Sequence, residues 1–281
     1  MSDSTFGDFG IWRRKPDLEP GFAADVERLG FGTLWIGGSP EADLAPLEAA
    51  LAETERLVVA SSVVNIWKAE AAATAASFLR LDDRYPDRVF LGIGSGHREA
   101  TPQRRKPLEA YREYLDALDA GGVPVEKRIL AALGDRALEI ARERTRGSIP
   151  YFTTPEHTRH ARDILGPDKL LAIEQGVIVD TDADAARAVA RAAVRDSYLQ
   201  MVNYVSTLHR FGFDETETAS GGSDRLIDTM IRHDSAEKVA VALDDHRRAG
   251  ADHVAIQVLG GGDIVPAMAA IAAALGLAGR H

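Results

Sequence analysis

The sequence predicts an α/β protein of the (β/α)8 TIM-barrel class, and three observations carry that prediction. Eight short β-rich runs alternate with helical runs from one end of the chain to the other. The runs are mostly continuous apolar stretches rather than alternating ones, as parallel strands covered on both faces require. The pattern extends over roughly 250 residues, the usual size of such a barrel. A doubly wound sheet, the competing architecture, needs fewer strands and a reversal of their order.

The expected strands begin with FGIW (Phe9–Trp12), TLWIGG (Thr33–Gly38) and LVVASSVVNIW (Leu57–Trp67). RVFLGIG (Arg88–Gly94), RILAAL (Arg128–Leu133) and SIPYFT (Ser148–Thr153) follow, then LLAIEQGVIV (Leu170–Val179) and HVAIQVL (His253–Leu259). Between the first two, PGFAADVERLG puts Phe22, Val26 and Leu29 on one helical face and offers Gly30 as a C-terminal cap. After the seventh, DADAARAVARAAVRDSYL carries Ala185, Ala186, Val189, Ala190 and Ala193 on one stripe, with acids at the end where the helix dipole favours them. From there to Gly250 the pattern is helical and shows no convincing strand, interrupted by the polar loop FDETETASGGSD (Phe213–Asp224). One domain, residues 1–281, is expected, with residues 181–250 as a helical insertion between strands seven and eight. Such extra length after a barrel strand builds either a lid over the active face or a surface and dimer contact. SDRLID (Ser223–Asp228) reads as a helix start.

Composition narrows the function. A formal net charge of −10 argues against a general nucleic-acid binder and against a cationic membrane-surface protein. No cysteine is present, which excludes disulfides, thiolate zinc sites and thiol nucleophiles. The N-terminal MSDSTFGDFGIW has no basic region followed by an apolar run, and no apolar stretch approaches the ~20 residues that span a bilayer. A cytoplasmic protein is the simplest expectation. His157 and His160 stand three apart on a helix, but without an evident third ligand no metal site is expected.

The chemistry-bearing features cluster at strand ends, where a barrel keeps its active site. RVFLGIGSGH (Arg88–His97) places Gly92, Gly94 and Gly96 at alternate positions before a histidine. A dinucleotide fingerprint needs its third glycine at 97 and a helix thereafter, but REATPQRRKP, with two prolines, follows. In a barrel the same glycines let a flat ring or a phosphate approach the backbone. WIGGSP closes strand two with Ser39, and ASSVVNIW carries Asn65 and Trp67 at the end of strand three. AALGDRALEIA passes through Gly134 into a helix whose first amides suit a phosphate, with Asp135 either opposing that anion or capping the helix.

Together, LGFGTLWIGGSP, TERLVVASSVVNIW, FLGIGSGH, LAALGDRALEIA, PYFTTPEHT, GGSDRLID and AGADHVAIQVL resemble the luciferase-like monooxygenase superfamily, most closely its coenzyme F420-dependent oxidoreductase branch. The resemblance covers nearly the whole chain in order. It implies a bacterial-luciferase-like barrel, a homodimer, and a deazaflavin or flavin lying across the mouth. It also implies a non-proline cis peptide at Ser62–Val63 in strand three, under the central ring. Cofactor-binding positions carried over are Gly38, Ser39, Ser62, Val63, Asn65, Gly94, Ser95, Gly96, His97, Gly134 and Asp135. Arg98, Arg104, Arg105 and Lys106 form a local basic patch, suited to the acidic tail of F420 or simply to solvent. The sugar-phosphate dehydrogenases of the superfamily end strand two with a histidine and follow the strand-four glycines with an acid. Here GGSP and His97 stand at those places, so that acid–base pair is not carried over.

Hydride transfer through a deazaflavin needs a proton partner, and His97 is the expected catalytic residue by position and chemistry, or else a hydrogen-bond partner of the cofactor. Trp12, Trp67, Tyr204 and His209 are expected to line the substrate pocket. Three functions follow: an F420-dependent oxidoreductase, an FMN-dependent luciferase-like monooxygenase, and a non-catalytic F420-binding protein.

Overall fold

Strand β1 (Phe9–Arg14) lies parallel to β10 (His253–Val258), so the first strand and the last are neighbours. The computed structural model describes residues 5–96 and 106–277, apart from the side chains of residues 196 and 197. Next to β1 come β2 (Thr33–Gly37), β3 (Val58–Ser61), β5 (Val89–Gly94), β6 (Arg128–Leu130), β7 (Gly147–Ser148) and β8 (Leu170–Val179). β8 then pairs with β10, closing a ring of eight parallel strands. All eight expected strands belong to this ring. The sixth is shorter than expected, at Gly147–Ser148, and the fifth stops at Leu130, because the chain leaves both strands for extended loops at the mouth.

Strand three is split. After β3 the Ser62–Val63 peptide bond is cis, and the chain re-enters the sheet as β4 (Val64–Asn65), pairing only with β5 among the described residues. A strand the sequence did not announce is β9 (Ile231–Asp234), which runs along the distal part of β8 from Gly176 to Val179. Its residues after Ile231 are half-buried and polar, and one neighbour suffices to hold it, so no apolar run marks it.

Side chains pointing inward fill the barrel in layers. Phe6 stacks on Trp35 at 5.6 Å between centroids and packs against Phe90 at 4.6 Å near the floor. Val58, Ala60, Ile149, Leu170, Ala172 and Ala255 continue the filling upward, and Trp12 sits at the top. Trp35 Nε1 donates to His253 Nε2 at 2.9 Å and His253 Nδ1 donates to the Gly7 carbonyl at 2.7 Å, so both polar rings are satisfied without water. A separate apolar layer lies between the strands and the helices α1 (Phe22–Arg28), α2 (Ala45–Ala52), α3 (Ala71–Arg84), α4 (Pro107–Ala120), α5 (Asp135–Arg144) and α6 (Pro155–Leu165). α11 (Ala236–Arg248) and α12 (Val265–Ala274) complete it.

Between β8 and β9 lie α7 (Ala183–Ser197), α8 (Val202–Arg210), α9 (Glu215–Thr218) and α10 (Asp224–Met230). They carry their own apolar cluster, with Ala190, Val194, Tyr204, Leu208, Leu226 and Ile227 packed on Phe152 and Ile178 of the barrel. The helix starts read in sequence are real: Asp182 accepts from the Asp184 and Ala185 amides, and Ser223 accepts from Leu226 N–H. No described helix is long and apolar enough to cross a membrane.

Candidate active site

The strand C-termini surround a cavity of about 460 Å³. Its floor and one wall come from Gly38, Ser39, Ser62, Val63, Asn65, Gly94, Ser95 and Gly96, eight of the expected cofactor positions. Ser39 and Gly38 both have positive φ, so the chain turns sharply away after β2. The glycines of strand four have a different reason from the one the sequence suggested. A Cβ on Gly92 would overlap the Ser61 carbonyl oxygen, and one on Gly94 would overlap Val63 Cγ2. A Cβ on Gly96 would stand 2.6 Å from Asn65 Nδ2. The glycines therefore admit the strand-three turn, and that turn faces the cavity.

Hydrogen bonds hold this wall from behind. Ser61 Oγ donates to the Gly92 carbonyl at 2.8 Å, and Ser62 N–H donates to the Ile36 carbonyl at 2.7 Å. Ser95 N–H donates to the Tyr111 hydroxyl at 2.9 Å, and that hydroxyl lies 3.3 Å from the Ala131 carbonyl. α4 thus pins the ends of β5 and β6 through one phenol. Trp67 belongs to this scaffold: its Nε1 donates to the Ser95 carbonyl at 2.7 Å, and the side chain does not line the cavity.

Leu133 and Ala137 bring the start of α5 to the edge of the cavity. Gly134 is the N-cap, offers no side-chain cap, and has open space where a Cβ would be. Asp135 is not the cap. Its carboxylate accepts from Arg210 Nη1 at 2.8 Å and Nη2 at 3.0 Å, and lies 2.8 Å from His160 Nε2. The Arg210 and His160 hydrogen bonds hold the Asp135 carboxyl well below the usual range. His157 is tied elsewhere, 2.9 Å from the Leu133 carbonyl, and burial lowers it to about 4. No group of three or more metal-ligating side chains exists among the described residues.

Of the expected substrate-pocket residues, Trp12 and Tyr204 line the cavity. His209 does not; it is exposed on α8 and lies 3.0 Å from Thr218 Oγ1. His97 and the basic Arg98, Arg104 and Arg105 fall outside the described residues. Lys106 pairs with Glu109 at 3.0 Å, while Arg14 and Lys68 bring positive charge to the cavity rim. Trp12 Nε1 is buried without a hydrogen-bond partner, a donor in need of an acceptor at this wall.

Trp12, Arg14, Tyr151 and Tyr198 also line a second cavity of about 310 Å³, which reaches Phe152, Glu174, Gln257 and Leu259. Tyr151 Oη donates to Gln257 Oε1 at 2.6 Å and lies 2.6 Å from Tyr198 Oη. Burial pushes the phenols of Tyr151, Tyr198 and Tyr204 up, so all three stay protonated. Glu174 is 3 % exposed, and burial raises it to about 8, opposed by one hydrogen bond from Phe152 N–H at 3.3 Å. The sequence reading passed over Tyr151, Tyr198, Glu174 and Gln257. The available signal was a carboxylate in the middle of an otherwise covered parallel strand, where a charge is costly.

Three solved structures share the fold over almost their whole length. An F420-dependent secondary alcohol dehydrogenase in complex with an F420–acetone adduct is 14% identical, with TM-score 0.77, covering 96% of this chain and 98% of that one. The coenzyme F420-dependent tetrahydromethanopterin reductase from Methanopyrus kandleri is 16% identical, with TM-score 0.70 and coverage of 94% and 97%. The oxygenating constituent of 3,6-diketocamphane monooxygenase from Pseudomonas putida, in complex with FMN, is 13% identical, with TM-score 0.69 and coverage of 97% of each. No curated protein matches the chain in sequence. Residues 15–121, from the end of β1 through α4, match the family model for luciferase-like monooxygenase. Residues 15–121 are thus similar to a luciferase-like monooxygenase domain, and over the full chain the closed eight-stranded ring is a (β/α)8 barrel.

Proposed function

We propose that the protein is an oxidoreductase that seats deazaflavin coenzyme F420 in the 460 Å³ cavity and exchanges a hydride with a small organic substrate. The observation that carries the reading is the Ser62–Val63 turn, threaded past the strand-four glycines to form one wall of that cavity. The residues present suit such a group. Val63, Leu108, Ala132 and Ile149 offer apolar contact to a flat ring, and Trp12 Nε1 offers it a donor. The unfilled first turn of α5 suits a phosphate. Arg14 and Lys68 suit a longer acidic tail. The bound cofactor supplies two-electron hydride chemistry; the chain supplies orientation and the proton. His97 stays a candidate for that proton.

FMN is the second reading, because the same phosphate end and flat ring would fit, as in the P. putida neighbour's complex. Titrating the purified protein with oxidised F420 and, separately, with FMN while following fluorescence decides between them. Tight, saturable F420 binding with weak FMN binding is expected. Preference for FMN would direct the search to oxygen-dependent chemistry, and binding of neither would overturn the oxidoreductase reading.

A further inference from the structure

Glu174 and Gln175 are adjacent in β8 and equally buried, yet they are treated differently. Gln175 is fully engaged: its amide donates to the Met230 carbonyl at 2.8 Å and the Gly176 carbonyl at 3.0 Å, and its oxygen lies 3.0 Å from His246 Nε2. Such a network is what a polar side chain with a purely structural task acquires. Glu174 points the other way, into the barrel, above Ala172 and level with Ala255 of β10. It accepts a single hydrogen bond, from Phe152 N–H at 3.3 Å, and no described lysine or arginine pairs with it. What it has instead is a face on the 310 Å³ cavity.

Among the described groups around it, this carboxyl is the buried one able to move a proton; Asp17 is 42% exposed and lies 4.0 Å from Arg14 Nε. From the end of β1 come Arg13, Arg14 and Asp17, and from the loop after β7 comes Tyr151. Tyr198 follows α7, and Tyr204 stands behind it on α8. β9 and β10 contribute Ile231, Gln257 and Val258, none of them titratable. The arginines do not deprotonate, the tyrosines are held protonated, and no histidine lies among the described residues of either cavity. Glu174 is raised toward neutrality, where a general acid works best.

We propose that Glu174 is an acid–base residue of this mouth, giving its proton to the oxygen of a small ketone or aldehyde held where the 310 Å³ chamber meets the 460 Å³ cavity at Trp12, Arg14, Tyr151 and Tyr198. The assignment rests on the oxidoreductase reading above. The carbonyl carbon accepts a hydride from the reduced cofactor, forming a C–H bond as the C=O π bond opens. The electron pair released onto oxygen takes the Glu174 proton, so an alcohol leaves and a carboxylate remains. The substrate gains two electrons, the reduced cofactor loses two, and Glu174 recovers its proton from solvent. Alcohol oxidation is the same step reversed, with the carboxylate as base. The chamber is at the small end of ligand pockets, and Phe152, Val258 and Leu259 suit alkyl substituents on the carbonyl.

The test compares wild type with Glu174→Gln and Glu174→Asp. In the apo protein, infrared difference spectra should show a protonated carboxyl band that disappears as pH rises through about 8 and that is missing in Glu174→Gln. With reduced F420 and a panel of acetone, cyclohexanone and benzaldehyde, Glu174→Gln should lose about 10²–10⁴ in kcat. Its F420 affinity by fluorescence should stay within about threefold of wild type. Glu174→Asp keeps a carboxyl and should recover part of the rate. A Glu174→Gln kcat within about threefold of wild type, or the absence of a titrating band, overturns the proposal alone. So does a wild type that binds F420 and turns over none of the panel. A wild type that binds neither F420 nor FMN overturns the oxidoreductase reading, and the proposed step falls with it.

Discussion

Val63 fills the space that a side chain at Gly94 would need: Cγ2 of the valine lies where the glycine's Cβ would be. The two strands can interlock only because one of them lacks a side chain at that point. Gly94→Ala should cost about 1–3 kcal/mol by overpacking, and should weaken cofactor binding because the displaced turn faces the cavity. Val63→Ala in the same chain should restore part of the loss. Urea denaturation of the two single variants and the double variant measures the coupling, and simple additivity would refute the contact.

Replacing Glu174 by Gln should change stability in a pH-dependent way. The ordinary carboxyl value is 4.5 and the folded value is about 8. Below the first, folded and unfolded chains both hold the proton. Between the two, the unfolded chain releases it and the folded chain does not, so wild-type stability falls as pH rises and levels off above the folded value. Glu174→Gln should therefore be more stable than wild type by on the order of 2–3 kcal/mol near pH 7 and nearly equal to it near pH 4. Equal denaturation midpoints at both pH values would mean the carboxyl is ionised in the folded protein.

His246 predicts the opposite slope. It is fully buried, 2.7 Å from Thr158 Oγ1 and 3.0 Å from Gln175 Oε1, and burial lowers it from 6.5 to about 3. The folded chain keeps it neutral while the unfolded chain protonates it below 6.5, so stability is lost as pH falls from there toward the folded value. His157, lowered to about 4, adds to the same loss. By about pH 5 each should have removed roughly 2 kcal/mol. His246→Gln should be less stable near neutrality but should show an acid-side slope shallower by about one proton, read from denaturation at stepped pH.

The Arg210–Asp135 pair controls charge at the start of α5. Arg210→Ala would leave an ionised carboxylate beside the proposed phosphate position, and should weaken FMN or F420 binding by about two- to fivefold. Asp135→Asn on that background should recover the affinity. Fluorescence titrations of the single and double variants at low and high salt measure this; equal affinities would place the phosphate away from α5.

The ring of strands was legible because a parallel barrel strand is covered on both faces, so each one shows as an apolar run with a break at its mouth end. The strand-three turn was legible by resemblance, and eight of the positions expected from it meet at one cavity. β9 was hidden because IRHD has one neighbour and a half-exposed surface, so nothing in its composition sets it apart from a loop. Trp67 and His209 were misjudged for one reason: strand-end or helical position in sequence does not say which way a side chain turns. Trp67 turns back to the Ser95 carbonyl and His209 out to Thr218. The Glu174 chamber depends on Tyr151, Tyr198 and Gln257, residues 47 and 106 positions apart from the first of them. Only the closed ring brings them together.

Because β1 lies between β2 and β10, the ring cannot close until the chain has been made as far as Val258. On the ribosome, the first seven ring strands must wait with β1 and β8 each presenting an unpaired edge. Such edges invite pairing between chains. A nascent chain stalled before β10 is therefore a candidate client for chaperones, and final assembly of the mouth is a post-translational event.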